Sequence, residues 1–587
     1  MPSSRTLVLV AFVACWLGGH ALLVAGAGQA PVADEQPFRL TPPERYVTDV
    51  AVSEDVQSIV QKSLASTLLD GIRSLDWERA ARGLSADFRG RFPQPEQGRP
   101  VEDAVLSIRR YEAAGLEVLS RDGFLETIRG HVGSWTSVER ASWHAFEFLL
   151  EPDGKRAFAK VHLELGGPGT GGERSVVNAT MAVQVVETGS NQWEIRRLEL
   201  LDGTRVENPL PPFRDITDAV GLHFNRSHAN GDVRQEILDT RASLIDSGLS
   251  VVDLNRDGFV DILATESMDH SVLFLNDGKG GFVRGPWNVA DRRLIPSQYL
   301  VVDLDNDGLE ELVSNRVVYG GDRAWMKIET RRAGEWVVLP RALEFDNPPG
   351  VEHTDALSIT AGDVNGDGRL DLFVGSYETN RSRDPARFNR VDAHDGADNL
   401  LFINLGNLRF TEESDERGIT GTQYTYVSQF FDFDADGDLD LFEGNDYGRS
   451  VVWENRGDGT FRASTGHAIG REPNYTMGVT FGDWENTGDW SVYISNMYSH
   501  AGNRVVRLTE SLSDPARAQV RLLATGNQLF TRDAKTGRWQ ERGVPLGVND
   551  GGWAWGTVFF DLDNDGDREI FVANGNTSYR DPAAPDY

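Results

Sequence analysis

Residues 432–440 read DFDADGDLD, and this nine-residue pattern decides the fold of most of the chain. Aspartate occupies places one, three, five and nine, and glycine occupies place six. Oxygen donors at this spacing let a tightly turned backbone surround a hard cation that takes six to eight oxygen ligands, and glycine permits the sharp turn. The pattern predicts a calcium loop, because magnesium demands a tighter octahedron and keeps its waters.

Four intact copies and one decayed copy of the pattern occur elsewhere in the C-terminal two-thirds of the chain. An isolated acidic turn is usually an ordinary solvated hairpin turn. Recurrence along one chain instead favours a repeated cation loop. We number the six copies as loop 1 (253–261), loop 2 (303–311), loop 3 (363–371), loop 4 (432–440), the decayed loop 5 (483–491) and loop 6 (561–569).

In loop 1 the spacing predicts five calcium ligands. Four are side chains and one is a main-chain carbonyl, as expected for a loop that turns around a single ion. They are Asp253, Asn255, Asp257, the carbonyl of Phe259, and Asp261.

The first six places also match an EF-hand, which needs a glutamate at place twelve and a helix on each side. Only loop 4 has that glutamate, Glu443. The flanking sequences are short, apolar and β-branched, as in ILAT at 262–265 and IFVA at 570–573, which favours strands. We therefore expect each loop to join two strands.

Composition excludes some classes of function. The chain has 587 residues, 40% of them hydrophobic, which is enough for several cores. Its net charge of −32 argues against a nucleic-acid partner, because phosphates need Lys and Arg. The sequence carries no GxSxG, HExxH, Walker loop or Cys/His cluster, which favours a binding module over an enzyme.

The N-terminus predicts export. The apolar run 7–17 follows Arg5 and leads to the small residues Ala25, Gly26 and Ala27, as in a secretory signal peptide over 1–27. A lipoprotein anchor at Cys15 and an uncleaved membrane anchor are the alternatives. No later segment is apolar enough to span a bilayer, so we expect a secreted, periplasmic or cell-surface protein without a membrane span in the mature chain.

The pattern before loop 1 predicts a linker over 28–50, an α+β domain over 51–204 and a hinge over 205–212. Within the domain, Ser53 is the predicted N-cap of the first helix. Further helices are predicted over 77–84 and 101–112, followed by strands over 143–150, 157–165, 176–186 and 193–200. This order, together with LSADFR at 84–89 and QWEI at 192–195, resembles the SnoaL-like cone fold, the superfamily of nuclear transport factor two. Members include enzymes, binding modules and assembly domains, and the resemblance assigns no catalytic residue.

From residue 213 to 587 the sequence repeats a two-part unit. The first part is a strand, an acidic loop and a second strand. The second part is a hairpin, as in LFLNDGKGGF at 273–282, LFINLGNLRF at 401–410 and VWENRGDGTF at 452–461, where Gly and Asn supply positive φ angles. Two hairpins make four antiparallel strands, which is one propeller blade. The predicted fold is therefore mostly β, with a smaller α+β domain in front.

These motifs resemble the FG-GAP (VCBS) repeats of integrin α-like β-propellers, and the hairpin is similar to the branch that includes ASPIC/UnbV proteins and cartilage acidic protein. The resemblance implies a calcium-binding propeller of six or seven four-stranded blades over 213–587. Because the last unit lacks its hairpin, we expect the chain to be truncated at its C-terminus.

The resemblance also carries the ligand set over to the other loops, with the place-seven residue contributing its carbonyl. Loop 5 departs from the pattern at Glu485, Thr487 and Ser491, so we expect it to bind calcium weakly or not at all. The implied ligands are Asp303, Asp305, Asp307, Leu309 and Glu311 in loop 2; Asp363, Asn365, Asp367, Arg369 and Asp371 in loop 3; Asp432, Asp434, Asp436, Asp438 and Asp440 in loop 4; and Asp561, Asp563, Asp565, Asp567 and Glu569 in loop 6.

The function that these observations favour is a secreted or cell-surface calcium-binding module for a protein or a glycan. One alternative is a polysaccharide lyase or hydrolase that uses the central face of the propeller. Another is a ligand-binding activity of the N-terminal domain. Candidates for the enzyme, chosen because they lie near strand ends, are His353, Asp355, His394, His467, His500, Tyr424, Tyr426 and Trp555.

Overall fold

The fold is described from a computed structural model. It falls into two compact units, one with the described residues between 40 and 209 and the other with those between 215 and 574. The predicted signal peptide and linker residues 28–39 lie outside the described part. The described residues are 40–101, 106–209, 215–224, 247–266, 271–287, 296–352, 354–379, 393–464, 469–470, 473–497, 526–533, 535–552, 554–562 and 565–574.

The N-terminal unit is built on a seven-stranded sheet. The four long strands predicted from residue 143 onward are confirmed, and each is longer than predicted. Leu84–Arg91 pairs in parallel with Gln192–Asn208. The other strands lie in the order Arg99–Val101, Ser107–Glu112, Gln192–Asn208, Arg174–Gly189, Arg156–Pro168 and Arg140–Leu150.

Helices pack against this sheet and bury a continuous apolar core that includes Leu64, Phe124, Trp143 and Met181. In the described part of the chain, no helix is long and apolar enough to cross a bilayer. The helices are Val50–Leu64, Asp70–Arg73, Trp77–Ala81 and Arg121–Val132, with a π-helical turn at Ala65–Leu69 and a 3-10 turn at Pro95–Gln97.

The helix predicted over 101–112 is wrong. Residues Ser107–Glu112 form a strand, because they pair along Gln192–Asn208 and bury Tyr111 in the core. Tertiary pairing overrides the local helical pattern here. The prediction also missed the helix Arg121–Val132, whose N-cap Ser120 accepts the Gly123 N–H at 3.2 Å.

The predicted boundaries of this unit also need correction. The first helix is capped by Asp49, which accepts the Val52 N–H at 3.2 Å, whereas Ser53 is fully buried inside the helix. Part of the predicted linker is attached to the sheet, since the Leu40 N–H donates to Glu199 at 2.8 Å. The predicted hinge begins too early, because the last strand continues to Asn208.

The C-terminal unit is a succession of antiparallel sheets. Four sheets have four strands each, the second has five, and the sixth has two among the described residues. A pair of short strands, Gly448–Arg449 and Pro473–Asn474, and the helix Gly543–Leu546 lie between them.

The strands of the first three sheets are Ser247–Val252, Asp261–Glu266, Ser271–Asn276 and Phe282–Arg284; Tyr299–Val302, Glu311–Ser314, Val318–Tyr319, Arg323–Arg332 and Glu335–Asp346; and Thr354–Gly362, Asp371–Thr379, Leu400–Asn404 and Phe410–Glu412. Those of the last three are Tyr424–Phe431, Asp440–Asp446, Val451–Asn455 and Phe461–Ala463; Thr476–Gly482, Ser491–Asn496, Gln528–Arg532 and Trp539–Glu541; and Ala554–Phe560 and Glu569–Asn574.

Each loop joins the first and second strands of one sheet, which confirms the strand–loop–strand prediction. The first strand of each sheet contacts the first strand of the next. A buried pair of hydroxyls, Ser358 and Ser428 at 2.7 Å, joins two of these first strands. All the loops therefore lie at the same end of their first strands, and the starts of those strands lie at the opposite end.

His131 is a titratable group that the fold of the N-terminal unit encloses. His131 is fully buried at the end of its helix, between the rings of Phe92 and Tyr111. Its Nε2 lies 2.8 Å from the carbonyl oxygen of Pro93. Burial lowers the pKa of His131 from 6.5 to about 4.

We expect this histidine to make the N-terminal unit sensitive to acid. The unfolded chain takes up the proton at a higher pH than the folded chain, so stability is complete above pH 6.5 and falls by up to about 3 kcal/mol as the pH drops towards 4. Hydrogen exchange of Arg121–Val132 between pH 7 and 4 measures this loss. His131→Gln, which cannot take up the proton, should lose less protection over the same range, and an equal loss in both proteins would contradict the prediction.

Candidate metal sites

All six loops form the same turn. The place-six glycine donates its N–H to the place-one aspartate at 2.7–3.1 Å, and its φ lies between +83° and +98°. This confirms the predicted role of glycine. The place-four residue also has a left-handed backbone conformation in the first five loops, where it is as varied as Arg256, Asn306 and Ala435. The available signal, which the sequence analysis missed, is that place four is Asn or Gly in four of the six loops, residues that favour positive φ.

The place-five and place-seven residues are joined by a local hydrogen bond. In the five intact loops the N–H of place seven donates to the place-five carboxylate at 2.7–3.1 Å. The contribution of the place-seven carbonyls to a metal site stays a prediction, as does that of Asp563, which lies outside the described residues.

The acidic residue at place nine is buried in every intact loop. Its side chain accepts the N–H of the place-two residue at 2.8–3.2 Å, so it closes the loop from within. A buried carboxylate that accepts main-chain N–H groups is costly to remove, because those donors lose their partner. The residues are Asp261, Glu311, Asp371, Asp440 and Glu569, at most 3% exposed.

An asparagine at the end of the third strand supports this carboxylate in three sheets. The N–H groups of Asn276, Asn404 and Asn455 donate to the place-nine carboxylates at 2.8–2.9 Å. Their side-chain amides donate to the place-eight carbonyls of the same loops at 3.0–3.1 Å. The sequence analysis missed this role, although the same asparagine recurs in the three hairpin motifs and was the available signal.

The oxygen atoms fit a calcium ion in two loops. Carboxylate oxygens of Asp303, Asp305 and Asp307 lie within 4.8 Å of one another, and so do those of Asp432, Asp434 and Asp440. Ligands at about 2.3–2.6 Å from one calcium lie no more than about 5 Å apart. The Oδ1 atom of Asp303 is shielded from solvent and accepts no hydrogen bond, which leaves it available for a cation.

The same loops accumulate unfavourable charge. Burial raises the pKa of Glu311 and Asp440 to about 7 and that of Asp371 to about 6. Burial, followed by the neighbouring carboxylate Asp307, also raises the pKa of Asp305. A bound divalent cation would favour the charged forms of these side chains and displace their protons.

Loop 5 keeps the turn but departs from the predicted ligand pattern at places three, five and nine. Its Asp483 accepts the Gly488 N–H at 2.7 Å, as in the intact loops. Glu485 at place three instead pairs with the guanidinium of Arg542 at 3.2 Å. A positively charged side chain therefore lies against place three, which is a predicted metal ligand in the intact loops.

Place twelve of loop 4 also excludes an EF-hand. Glu443 lies on the second strand of its sheet, fully buried. Its carboxylate accepts hydrogen bonds from Trp453 Nε1 at 2.7 Å and from Asn445 Nδ2 at 2.9 Å. This side chain is therefore committed to the sheet rather than to the loop.

Six aromatic residues meet at the strand end opposite to the loops. Ring centroids of Tyr377 lie 5.2 Å from Tyr424 and 5.8 Å from Tyr426, and Tyr426 lies 6.1 Å from Trp555. Tyr377 donates its hydroxyl to the buried carboxylate of Asp446 at 2.6 Å. We call this group the aromatic cluster: Tyr377, Tyr424, Tyr426, Tyr447, Tyr475 and Trp555.

The residues proposed for an enzyme are only partly brought together. Tyr424, Tyr426 and Trp555 belong to the aromatic cluster, whereas His394 is exposed and Asp355 is buried at the start of its strand. The candidates His353, His467 and His500 lie outside the described residues.

Comparison with known protein families matches residues 253–314 and 432–494 to the FG-GAP-like repeat and residues 356–387 to the FG-GAP repeat. These segments contain loops 1 to 5. The chain therefore carries FG-GAP repeats, the class of repeat that its sequence motifs resemble.

Among curated proteins, the chain is similar to cartilage acidic protein 1 of Xenopus tropicalis, with 25% identity over 369 residues. The match covers 59% of this chain and 50% of that protein, so the chain spans about half the length of the curated relative that it matches.

Similar solved structures include a conserved protein from Planctomyces limnophilus DSM 3776 (14% identity, 26% of this chain, 97% of that chain, TM-score 0.19). LinA is similar at 12% identity over 30% of this chain and 99% of its own, with a TM-score of 0.19. Sqt1 of Saccharomyces cerevisiae is similar at 9% identity over 68% of this chain and 90% of its own, with a TM-score of 0.27.

The structural and metal-binding roles within a loop can be separated by substitution. We expect Asp261→Ala to destabilise the protein by at least about 2 kcal/mol even in EGTA, because it leaves buried N–H groups without an acceptor. Asp257→Ala, at an exposed place in the same loop, should cost less than about 1 kcal/mol in EGTA and reduce only the stabilisation by calcium. Urea unfolding with and without calcium measures both. Equal losses in EGTA would contradict the distinction.

Proposed function

We propose that this protein is an extracellular calcium-binding β-propeller that serves as a protein- or glycan-binding module. The observation that carries the proposal is the recurrence of one acidic turn, with the same internal hydrogen bonds, in consecutive FG-GAP-type sheets. In this proposal the sheets are propeller blades. Calcium occupies loops 1 to 4 and loop 6 through the ligands named above, and loop 5 remains without metal.

Calcium would stabilise the propeller by balancing charge. Each intact loop places several carboxylates close together, and their repulsion opposes folding when no cation is present. The ion joins places one, three and five to place nine, and place nine begins the second strand. Binding would therefore hold the first two strands of each blade together at their loop end.

The aromatic cluster is the proposed recognition surface. Tyr426, Tyr447, Tyr475 and Trp555 are half-buried, so each is packed against the protein and still partly accessible to a ligand. Tyr447 also has a φ of +58°, which is strained for a bulky residue, and such strain is concentrated at functional sites. Rings beside a carboxylate suit glycans and polar protein side chains, because binding sites combine aromatic walls with a few placed polar groups.

The two alternative functions receive less support. An enzyme on the central face needs acid and base groups that converge, and among the described candidates only aromatic residues converge. A ligand-binding activity of the N-terminal unit needs a pocket lined by polar groups, whereas the buried His131 is packed against the rings of Phe92 and Tyr111 beside a large apolar core. Location outside the cytoplasm is proposed from the predicted signal peptide and the similarity to cartilage acidic protein 1.

Calcium should raise the melting temperature of the C-terminal unit. At a calcium concentration a hundredfold above the dissociation constant, each independent site adds about 2.7 kcal/mol. Calorimetry of the full chain in millimolar calcium and in EGTA tests this, and magnesium at the same concentration serves as the control. The N-terminal transition should not move. Identical melting of the C-terminal unit in both buffers would refute the metal assignment.

Truncation of two residues of the aromatic cluster should weaken recognition without unfolding the protein. We expect Tyr426→Ala with Trp555→Ala to lose at least about tenfold in affinity on arrays of immobilised glycans and extracellular proteins in calcium buffer, since buried aromatic anchors dominate binding energy. Trp490→Ala is the matched control, because Trp490 is an exposed aromatic residue of loop 5, at the opposite end of the strands. Unchanged binding by the double variant would refute this surface.

A further inference from the structure

A hydrogen-bonded chain joins loop 2 to loop 3 through one buried amide. The side chain of Asn404 donates to the carbonyl of Leu370 at 3.0 Å within its own sheet and to the carbonyl of Leu304 at 2.9 Å in loop 2. Its main-chain N–H donates to Asp371 of loop 3 at 2.8 Å. Asn404 is fully buried, so water does not compete for these bonds.

The same bridge joins loop 3 to loop 4. Asn455 donates its side-chain amide to the carbonyl of Leu439 at 3.0 Å and to the carbonyl of Val364 in loop 3 at 2.8 Å. Its N–H donates to Asp440 of loop 4 at 2.8 Å. Two amide hydrogens and one main-chain hydrogen are all used, so each asparagine fixes two neighbouring loops at once.

Both ends of each bridge reach a predicted calcium ligand. The N–H of Leu304 donates to Glu311 at 2.9 Å, and the N–H of Val364 donates to Asp371 at 3.2 Å. A shift of the place-nine carboxylate on metal binding would therefore move the place-two residue, whose own carbonyl accepts from the asparagine of the next sheet. These hydrogen bonds form a continuous path between Glu311 and Asp440. Its residues, each at most 7% exposed, are Glu311, Leu304, Asn404, Asp371, Val364, Asn455 and Asp440.

Among the described sheets, the asparagine bridge between neighbouring loops occurs in the third and fourth. The pairing of Leu312 with Glu329 places Arg331 at the corresponding position of the second sheet, and the hydroxyl of Thr330 beside it donates to Glu311 at 2.8 Å. Loops 1 and 2 are joined instead by the ion pair of Arg256 with Glu310 at 3.8 Å, and a pair between partly exposed side chains contributes little. Beyond loop 4, Trp539 Nε1 donates to the Phe433 carbonyl at 3.3 Å, but loop 5 in that sheet lacks the metal ligands.

We propose that loops 2, 3 and 4 bind calcium cooperatively, coupled through the positioning residues Asn404 and Asn455, while loop 1 binds independently. This inference rests on the proposed calcium function. By linkage, the ion in one loop of the set strengthens binding in its neighbour by the factor that the neighbour exerts in return.

Calcium titration of the full chain, followed by hydrogen exchange and mass spectrometry, reports a midpoint for each loop separately. We expect loops 2, 3 and 4 to gain protection at one shared midpoint with a Hill slope above 1, and loop 1 at its own midpoint. Asp363→Ala with Asp367→Ala, which removes ligands of loop 3, should shift the midpoints of loops 2 and 4 at least about fivefold. The matched double variant in loop 1, Asp253→Ala with Asp257→Ala, should leave loops 2 to 4 unchanged.

The bridges themselves are tested in the same titration. Asn404→Ala should separate the midpoint of loop 2 from those of loops 3 and 4, and Asn455→Ala should separate loop 4. Asn276→Ala is the control, because Asn276 makes the same bonds within loop 1, and only loop 1 should respond. The ligand variants test the coupling without altering either asparagine, so the proposal stays testable if an asparagine variant fails to fold.

Two results would overturn the proposal, and they distinguish failure of the coupling from failure of calcium binding itself. Calcium-dependent protection with independent midpoints, unaffected by loss of the loop 3 ligands, would refute the coupling and leave the calcium function intact. No change in protection of any loop up to 10 mM calcium, on the order of ten times the weak end of extracellular affinities, would refute both.

Discussion

The repeated sheets depend on the hydrogen bonds that the buried place-nine carboxylate accepts from main-chain N–H groups. It accepts the N–H of place two, and in three sheets also the N–H of the strand-end asparagine. These bonds fix the end of the first strand, the start of the second and the end of the third at one point. Because the carboxylate is shielded from water, its hydrogen bonds are strong and its loss is costly. Hydrophobic cores, such as the one that contains Val313 and Phe402, lie between neighbouring sheets whose strands these bonds hold in register.

This frame carries an electrostatic cost that explains its sequence. Burial raises the pKa of the place-nine carboxyl groups of Glu311 and Asp440, and repulsion by neighbouring carboxylates raises it further. A divalent cation relieves both effects at once. Loop 5 shows a second solution, in which the guanidinium of Arg542 pairs with the place-three glutamate. The same turn can therefore persist with a fixed internal charge in place of a bound ion.

The two ends of the strands serve different purposes in the proposed function. The loop end holds charge, hydrogen bonds and proposed metal, and its residues are repeated from sheet to sheet. The opposite end holds the aromatic cluster, whose residues differ from sheet to sheet and in which Tyr377 donates to the buried carboxylate of Asp446. A scaffold of repeated strands and loops that carries varied residues at one end of its strands is a common way to present a binding surface.

The sequence by itself determined the acidic loops and the strands beside them, because these depend on residues within about ten positions of one another, and the recurrence of the hairpin motif indicated the four-stranded unit. It did not predict that Ser107–Glu112 is a strand, since that outcome depends on pairing with a strand almost 100 residues later. The two-loop bridges of Asn404 and Asn455 and the meeting of Tyr426 with Trp555 were likewise decided by the tertiary structure alone. Each joins residues from different sheets, and local periodicity carries no information about which distant groups the packing of sheets brings into contact.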